Sequence, residues 1–90
     1  RLNVDVKRIS IRDPRTRWGS ASSGGALSLS WRLYLAPRPV LNYVVAHEVA
    51  HLREMNHGAR FWRLVETLCP GFEQPRAWLR EHGHALHRYG

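Results

Sequence analysis

Apolar and polar positions alternate over Ala26–Leu35 and then recur at helical spacing from Val40 onward, and these two rhythms divide the chain. In the first, Leu27, Leu29, Trp31, Leu33 and Leu35 fall on one side and Ser28, Ser30, Arg32 and Tyr34 on the other. Alternation with period two predicts a half-buried strand with a solvated polar face. Upstream, Val4–Ile11 alternates imperfectly and is rich in β-branched residues, so another strand is expected there. Asp13-Pro14 opens a turn, and the short polar strand Ser20–Ser23 runs into Gly24-Gly25, a hairpin signal. Pro37 and Pro39 end the long strand and stand at the start of a helix, where a missing N–H costs little. In that helix Val40, Leu41, Val44, Val45, Val49, Ala50 and Leu52 are apolar on more than one side, the pattern of a buried helix. Phe61, Leu64, Val65 and Leu68 predict a second helix over Ala59–Leu68, ended by Pro70-Gly71. A third follows over Gln74–His87, softly interrupted at Gly83. The expected fold class is α+β: a small antiparallel sheet followed by the buried helix and two further helices.

The buried helix carries the chemistry. His47-Glu48-Val49-Ala50-His51 reads H-E-x-x-H. Residues four apart on a helix share a face, with Cβ atoms about 5–6 Å apart, so His47 and His51 can aim two imidazoles at one metal ion. Glu48 sits beside that face, free to reach a water rather than the metal. Burying two histidines and a carboxylate without partners is costly, and a metal ion would satisfy them. Downstream, Asn56-His57-Gly58 supplies two residues tolerant of the left-handed conformation that ends helices. A chain turning there brings His57 back toward the other two histidines. Three imidazoles with an open fourth position make a catalytic zinc pattern, so one Zn²⁺ per chain is the expected cofactor. Glu66, on the following helix, is the rival third ligand, although Arg63 beside it fits a surface ion pair equally well. The plain alternative is two satisfied core histidines and a surface one.

Several separate runs carry a family resemblance: Arg17-Trp18-Gly19-Ser20, Trp31-Arg32-Leu33, Leu35-Ala36-Pro37, the His47–Leu52 run HEVAHL, Asn56-His57 and Phe61-Trp62. Together they resemble the YgjP-like zinc metallopeptidase domain family, related to the WLM and SprT-like groups, over roughly Val4 to His84. The resemblance implies a zincin-like fold, with His47, His51 and His57 as zinc ligands and Glu48 as the catalytic glutamate. Ala21 stands where members often have Cys, and Ser30 where they often have Asn. Family members usually carry more β-rich sequence ahead of this point, and the chain begins at Arg1. Residues 1–90 are therefore expected to be a single domain forming the C-terminal part of a longer protein.

Charge widens the choice of substrate. Fourteen Lys+Arg against seven Asp+Glu give a net charge of +7, which favours anionic partners such as nucleic acid, nucleotides or acidic peptides. The single cysteine, Cys69, cannot form an internal disulfide and fits a reducing, cytoplasmic setting. No apolar run approaches the eighteen or so residues of a membrane span. Three function classes follow: a zinc peptidase using Glu48 to activate water, a zinc phosphohydrolase acting on nucleotides, and a nucleic-acid-associated protease or binding module. Three neutral imidazoles on zinc lower the pKa of a coordinated water to about 7, where a carboxylate can take its proton. Arg32 and Tyr34 are the substrate-binding candidates, with His82, His84 and His87 as further oxyanion donors. Trp18, beside Arg15 and Arg17, is a candidate for the cleft wall. If Ala26–Leu35 is the sheet edge, its free backbone groups would pair with an extended peptide.

Overall fold

In the computed structural model the described residues are 6–12, 18–22 and 24–87. The expectations for Val4, the Asp13-Pro14 turn, Arg15, Arg17 and the side chains of His84 and His87 lie outside them. Three short strands form one sheet: β1 (Arg8–Arg12), β2 (Gly19–Ala21) and β3 (Ala26–Ser30), in the order β1-β3-β2. β2 and β3 are joined by the glycine hairpin. Gly25 takes φ 94°, which favours glycine, and its N–H donates to the Ser22 carbonyl at 3.0 Å. β1 runs parallel to β3, with Ile9 opposite Leu27 and Ile11 opposite Leu29, so the sheet is mixed where an antiparallel one was expected. Alternation specifies which side chains share a face but not the direction of the neighbouring strand, and no turn joins β1 to the strand it pairs with.

The second departure lies in the strand expected over Ala26–Leu35. It stops at Ser30, and Trp31–Leu35 winds into a 3₁₀ helix. The Ser30 hydroxyl accepts the Arg32 N–H at 3.2 Å, capping that turn. Past this point the side-chain period is about three rather than two. Leu33 and Arg32 therefore both turn inward, at 1% and 0% exposure, while Tyr34 and Leu35 face solvent. Arg32 is thus not on a solvated strand face. Its guanidinium carbon lies 4.7 Å above the Trp31 ring. β3, hydrogen-bonded on both sides, is the central strand and has no free edge.

The three helices match their expected positions closely: α1 (Arg38–His51), α2 (Ala59–Leu68) and α3 (Glu73–His87). Pro39 sits in the first turn of α1. α1 lies against both other helices, β2, β3 and the 3₁₀ turn. Its buried residues Val40, Tyr43, Val44 and Ala50 join Leu29, Leu33, Phe61, Val65 and Phe72 in one core. Phe61 and Val65, four apart on α2, are fully buried, and each such side chain contributes roughly 1.5–3 kcal/mol. Gly83 does not interrupt α3. A Cβ there would come within 3.1 Å of the Trp18 ring, so the glycine lets α3 close against that indole.

Candidate metal centre

His47 and His51 lie one turn apart on α1 with ring centroids 4.9 Å apart. α1 ends immediately after His51, where the Arg53 and Glu54 N–H groups both donate to the Ala50 carbonyl at 3.0 and 2.8 Å. The loop then returns His57 so that its Nε2 is 2.7 Å from Nε2 of His51. One ligating atom from each of the three histidines falls within 4.8 Å of the others. The return needs no left-handed residue: Gly58 is extended at φ −89° and ψ −170°, and Asn56 has negative φ. The turn expected from left-handed Asn and Gly is therefore made another way, by tight closure of the helix end.

Phe61 supports the cluster from below. Its ring centroid lies 5.0, 4.7 and 4.6 Å from those of His47, His51 and His57, and Trp62 lies 5.9 Å from both His47 and His57. In the sequence Phe61 reads as a core position of the second helix and, with Trp62, as part of the family resemblance, but not as a wall of the histidine cluster. Its second role comes from being three residues past Gly58, in the first turn of α2, where the loop hands over to the helix.

Burial, reinforced by the neighbouring His47, holds the His51 imidazole below its ordinary pKa of 6.5, against the pull of Glu48. A neutral ring keeps a lone pair for a metal. Glu48 is 7% exposed, and among the described residues its one polar partner is Nδ1 of His47, 3.3 Å from Oε2. The carboxylate is thus buried with a second oxygen unpartnered, an arrangement that asks for a ligand. β2 lies close over it: a Cβ on Gly19 would sit 3.1 Å from Cγ of Glu48 and 3.0 Å from the Ser28 carbonyl. Three clustered imidazoles, one of them exposed, with an apolar floor and a buried carboxylate alongside, fit a metal with an open coordination position. Glu66 is exposed on α2 and takes no part in this cluster.

Two cavities reach Glu48 and His47. One, of about 460 Å³, runs along β2 past His51 and Met55. The other, of about 510 Å³, is lined by Trp18, Gly19, Tyr43, Val44, Leu79, Arg76 and Arg80 as well as His47 and Glu48. Arg32 and Tyr34 line neither, whereas Trp18 does. His82 is an exposed residue of α3, 3.8 Å from Glu81, and also lines neither. A third cavity, of about 1070 Å³, lies across α1 against Leu41, Val45 and Val49 and touches none of the three histidines. Tyr43, Arg76 and Arg80 were missed in the sequence. Tyr43 had a signal, because it stands four residues before His47 on the same helix face. Burial raises its phenol pKa, with Arg76 acting against the shift, so the hydroxyl stays a proton donor.

The YgjP-like metallopeptidase-domain profile matches residues 1–82. The chain belongs to the YgjP-like family. A curated relative, the UTP pyrophosphatase of Escherichia coli (strain K12), is 38% identical over 50 residues, which span 51% of this chain and 30% of that protein. The YgjP-like chain therefore matches under a third of the curated relative's length. Among solved structures, the metallopeptidase zymogen of Pyrococcus abyssi, abylysin, superposes with a TM-score of 0.70 at 24% identity, covering 82% of this chain and 76% of that one. That likeness establishes the α+β fold. The metallopeptidase-domain family and the histidine triad agree on a domain of metallohydrolase type with a metal-binding constellation. No helix among the described residues is long and apolar enough to cross a membrane.

Proposed function

We propose that this domain is a zinc-dependent hydrolase in which His47, His51 and His57 hold one Zn²⁺ and Glu48 is the general base. The observation that carries this reading is the convergence of the three imidazoles beside a buried, half-partnered carboxylate. When bound, the ion supplies Lewis acidity, polarising the substrate oxygen and acidifying water. Glu48 takes a proton on its free carboxylate oxygen and returns it to the leaving group. Its orientation is held by His47 on one side and by the close approach of Gly19 on the other. Tyr43, protonated and lining the same cavity, can donate a hydrogen bond to a developing oxyanion. Phe61 and Trp62 keep water from the inner side of the triad.

Two readings of the scissile bond follow. Peptide hydrolysis is supported by the metallopeptidase-domain family. The sheet edge beside the site is β2, not β3, so an extended peptide would pair along Gly19–Ala21, where the cavity past His51 runs. Phosphoanhydride hydrolysis is favoured by a different observation, the two arginines that open onto Glu48, and by the UTP pyrophosphatase activity named for the E. coli relative. The free Cys69 supports a cytoplasmic setting for either. The test of the hydrolase reading is Glu48→Gln, assayed on a peptide library and on UTP. The amide is nearly isosteric but takes no proton from water at neutral pH, so zinc content and melting temperature should hold while turnover falls by about 10²–10⁴-fold. A variant that turns over either substrate at the parent rate removes Glu48 as the base.

A further inference from the structure

We infer that Arg76 and Arg80 are specificity-determining residues that hold the phosphate chain of the substrate beside Glu48. This rests on the phosphoanhydride reading and assigns its recognition to two residues of α3. Both line the cavity that Glu48, His47 and Tyr43 share. They stand four apart on α3, so they share a helix face. The Arg76 guanidinium carbon lies 4.5 Å above the Trp62 ring, and Trp62 itself packs against His47 and His57. One cation is therefore fixed on an aromatic wall of the metal site. Both arginines also act electrostatically on the Tyr43 phenol, which lines the same cavity.

Like charges four apart on a helix repel and weaken it slightly. Among the described residues neither Arg76 nor Arg80 has a carboxylate within ion-pair distance. Glu48 is the one acid among the residues lining that cavity, so two cations there face a single carboxylate whose near partner is His47. A solvated helix face would account for the exposed Arg80 alone, but not for Arg76, half-buried and stacked on Trp62. A planar guanidinium grips a single carboxylate with two parallel hydrogen bonds, so one arginine suffices for an acidic side chain or a peptide C-terminus. Two of them a helical turn apart suit an anion whose charge is spread along a chain, as in consecutive phosphates. That chain would lead from Arg80 at the cavity mouth, past Arg76, to Glu48.

The experiment is calorimetric titration of the zinc-loaded protein with inorganic tripolyphosphate, with zinc content measured before and after. Arg80→Gln and Arg76→Gln are each expected to weaken binding by about tenfold or more, the loss of one charge-assisted contact. Arg80→Glu should weaken it further. Arg80 is exposed, so its variants should keep the parent melting temperature and zinc content even if Arg76→Gln loosens the fold by removing its stack on Trp62. In UTP turnover the same variants should raise KM more than they lower kcat. Wild-type affinity in both Arg80 variants overturns the inference. So does a wild-type protein that binds a glutamate-rich peptide but not tripolyphosphate. The Glu48→Gln protein keeps both arginines and should bind tripolyphosphate at least as tightly as the parent. Failure of the hydrolase reading, seen as unchanged turnover in Glu48→Gln, is therefore separable from failure of the arginine subsite.

Discussion

His57 reaches the histidine cluster from a loop, whereas His47 and His51 are fixed by helix geometry, so of the three proposed ligands His57 most needs a direct test. His57→Ala should weaken zinc binding on the order of a hundredfold or more, because each ligand of a structural-strength site supplies several kcal/mol. Glu66→Ala should leave affinity unchanged, since Glu66 is exposed and outside the cluster. Competition with a fluorescent chelator measures both, and the reverse order would hand the third position to Glu66. Gly19 is a different kind of residue-scale constraint. A methyl group there meets Glu48 and a backbone carbonyl at about 3 Å, and the carbonyl belongs to the central strand and cannot move away. Gly19→Ala should therefore destabilise by about 1–3 kcal/mol through overpacking and lower turnover by tilting Glu48. A melting temperature and kcat equal to the parent's would show that the strand yields freely.

At the scale of elements, legibility followed how local each cause was. The helix that carries His47 and His51 was readable because its signals, prolines in the first turn, apolar residues on several sides and histidines four apart, all lie within one segment. Ala59–Leu68 was readable for the same reason. The strand over Ala26–Leu35 was overextended because period-two alternation continues through Trp31, Leu33 and Leu35, while the Ser30 hydroxyl turns the backbone into a 3₁₀ helix. The parallel pairing of β1 with β3 was not legible, nor was the cavity-lining role of Arg76 and Arg80. Both depend on how elements pack, and no local pattern records that. The corrected sheet moves the peptide test to β2. The Trp18 and Ala26 carbonyls accept N–H groups from Ser30 and Ser22, so Ser20 pairs inward with Ser28 and the N–H groups of Gly19 and Ala21 point outward. Ala21→Pro should thus remove an outward donor, cut peptide turnover and spare UTP turnover. Unchanged peptide turnover in a folded variant would dissociate β2 from the substrate.

For the whole molecule, ninety residues bury a limited core, and small domains of this size often lean on a bound metal. Here the ion would tie the α1–α2 loop, through His57, to the helix at the centre of the core. That links metal, pH and stability in one direction. The His51 pKa is depressed by folding, so its contribution to stability is present above the unfolded value of 6.5 and is lost as pH falls through the lower folded value. Protons and zinc compete for the same ring, so acidification should release the metal over the same interval. A ligand that binds only the folded state at about a hundred times its Kd stabilises by about 2.7 kcal/mol. For a domain of this length each kcal/mol is worth about 4–8 °C, so chelation at neutral pH should lower Tm by about 10–20 °C. The chelator-induced difference should shrink toward zero as pH is lowered through the range in which His51 takes up its proton, because the zinc-loaded sample then loses its ion unaided. Calorimetry at several pH values, with metal content assayed in each sample, tests both halves. A melting curve unmoved by verified zinc removal would mean that Phe61 and the core hold the histidine loop without the ion.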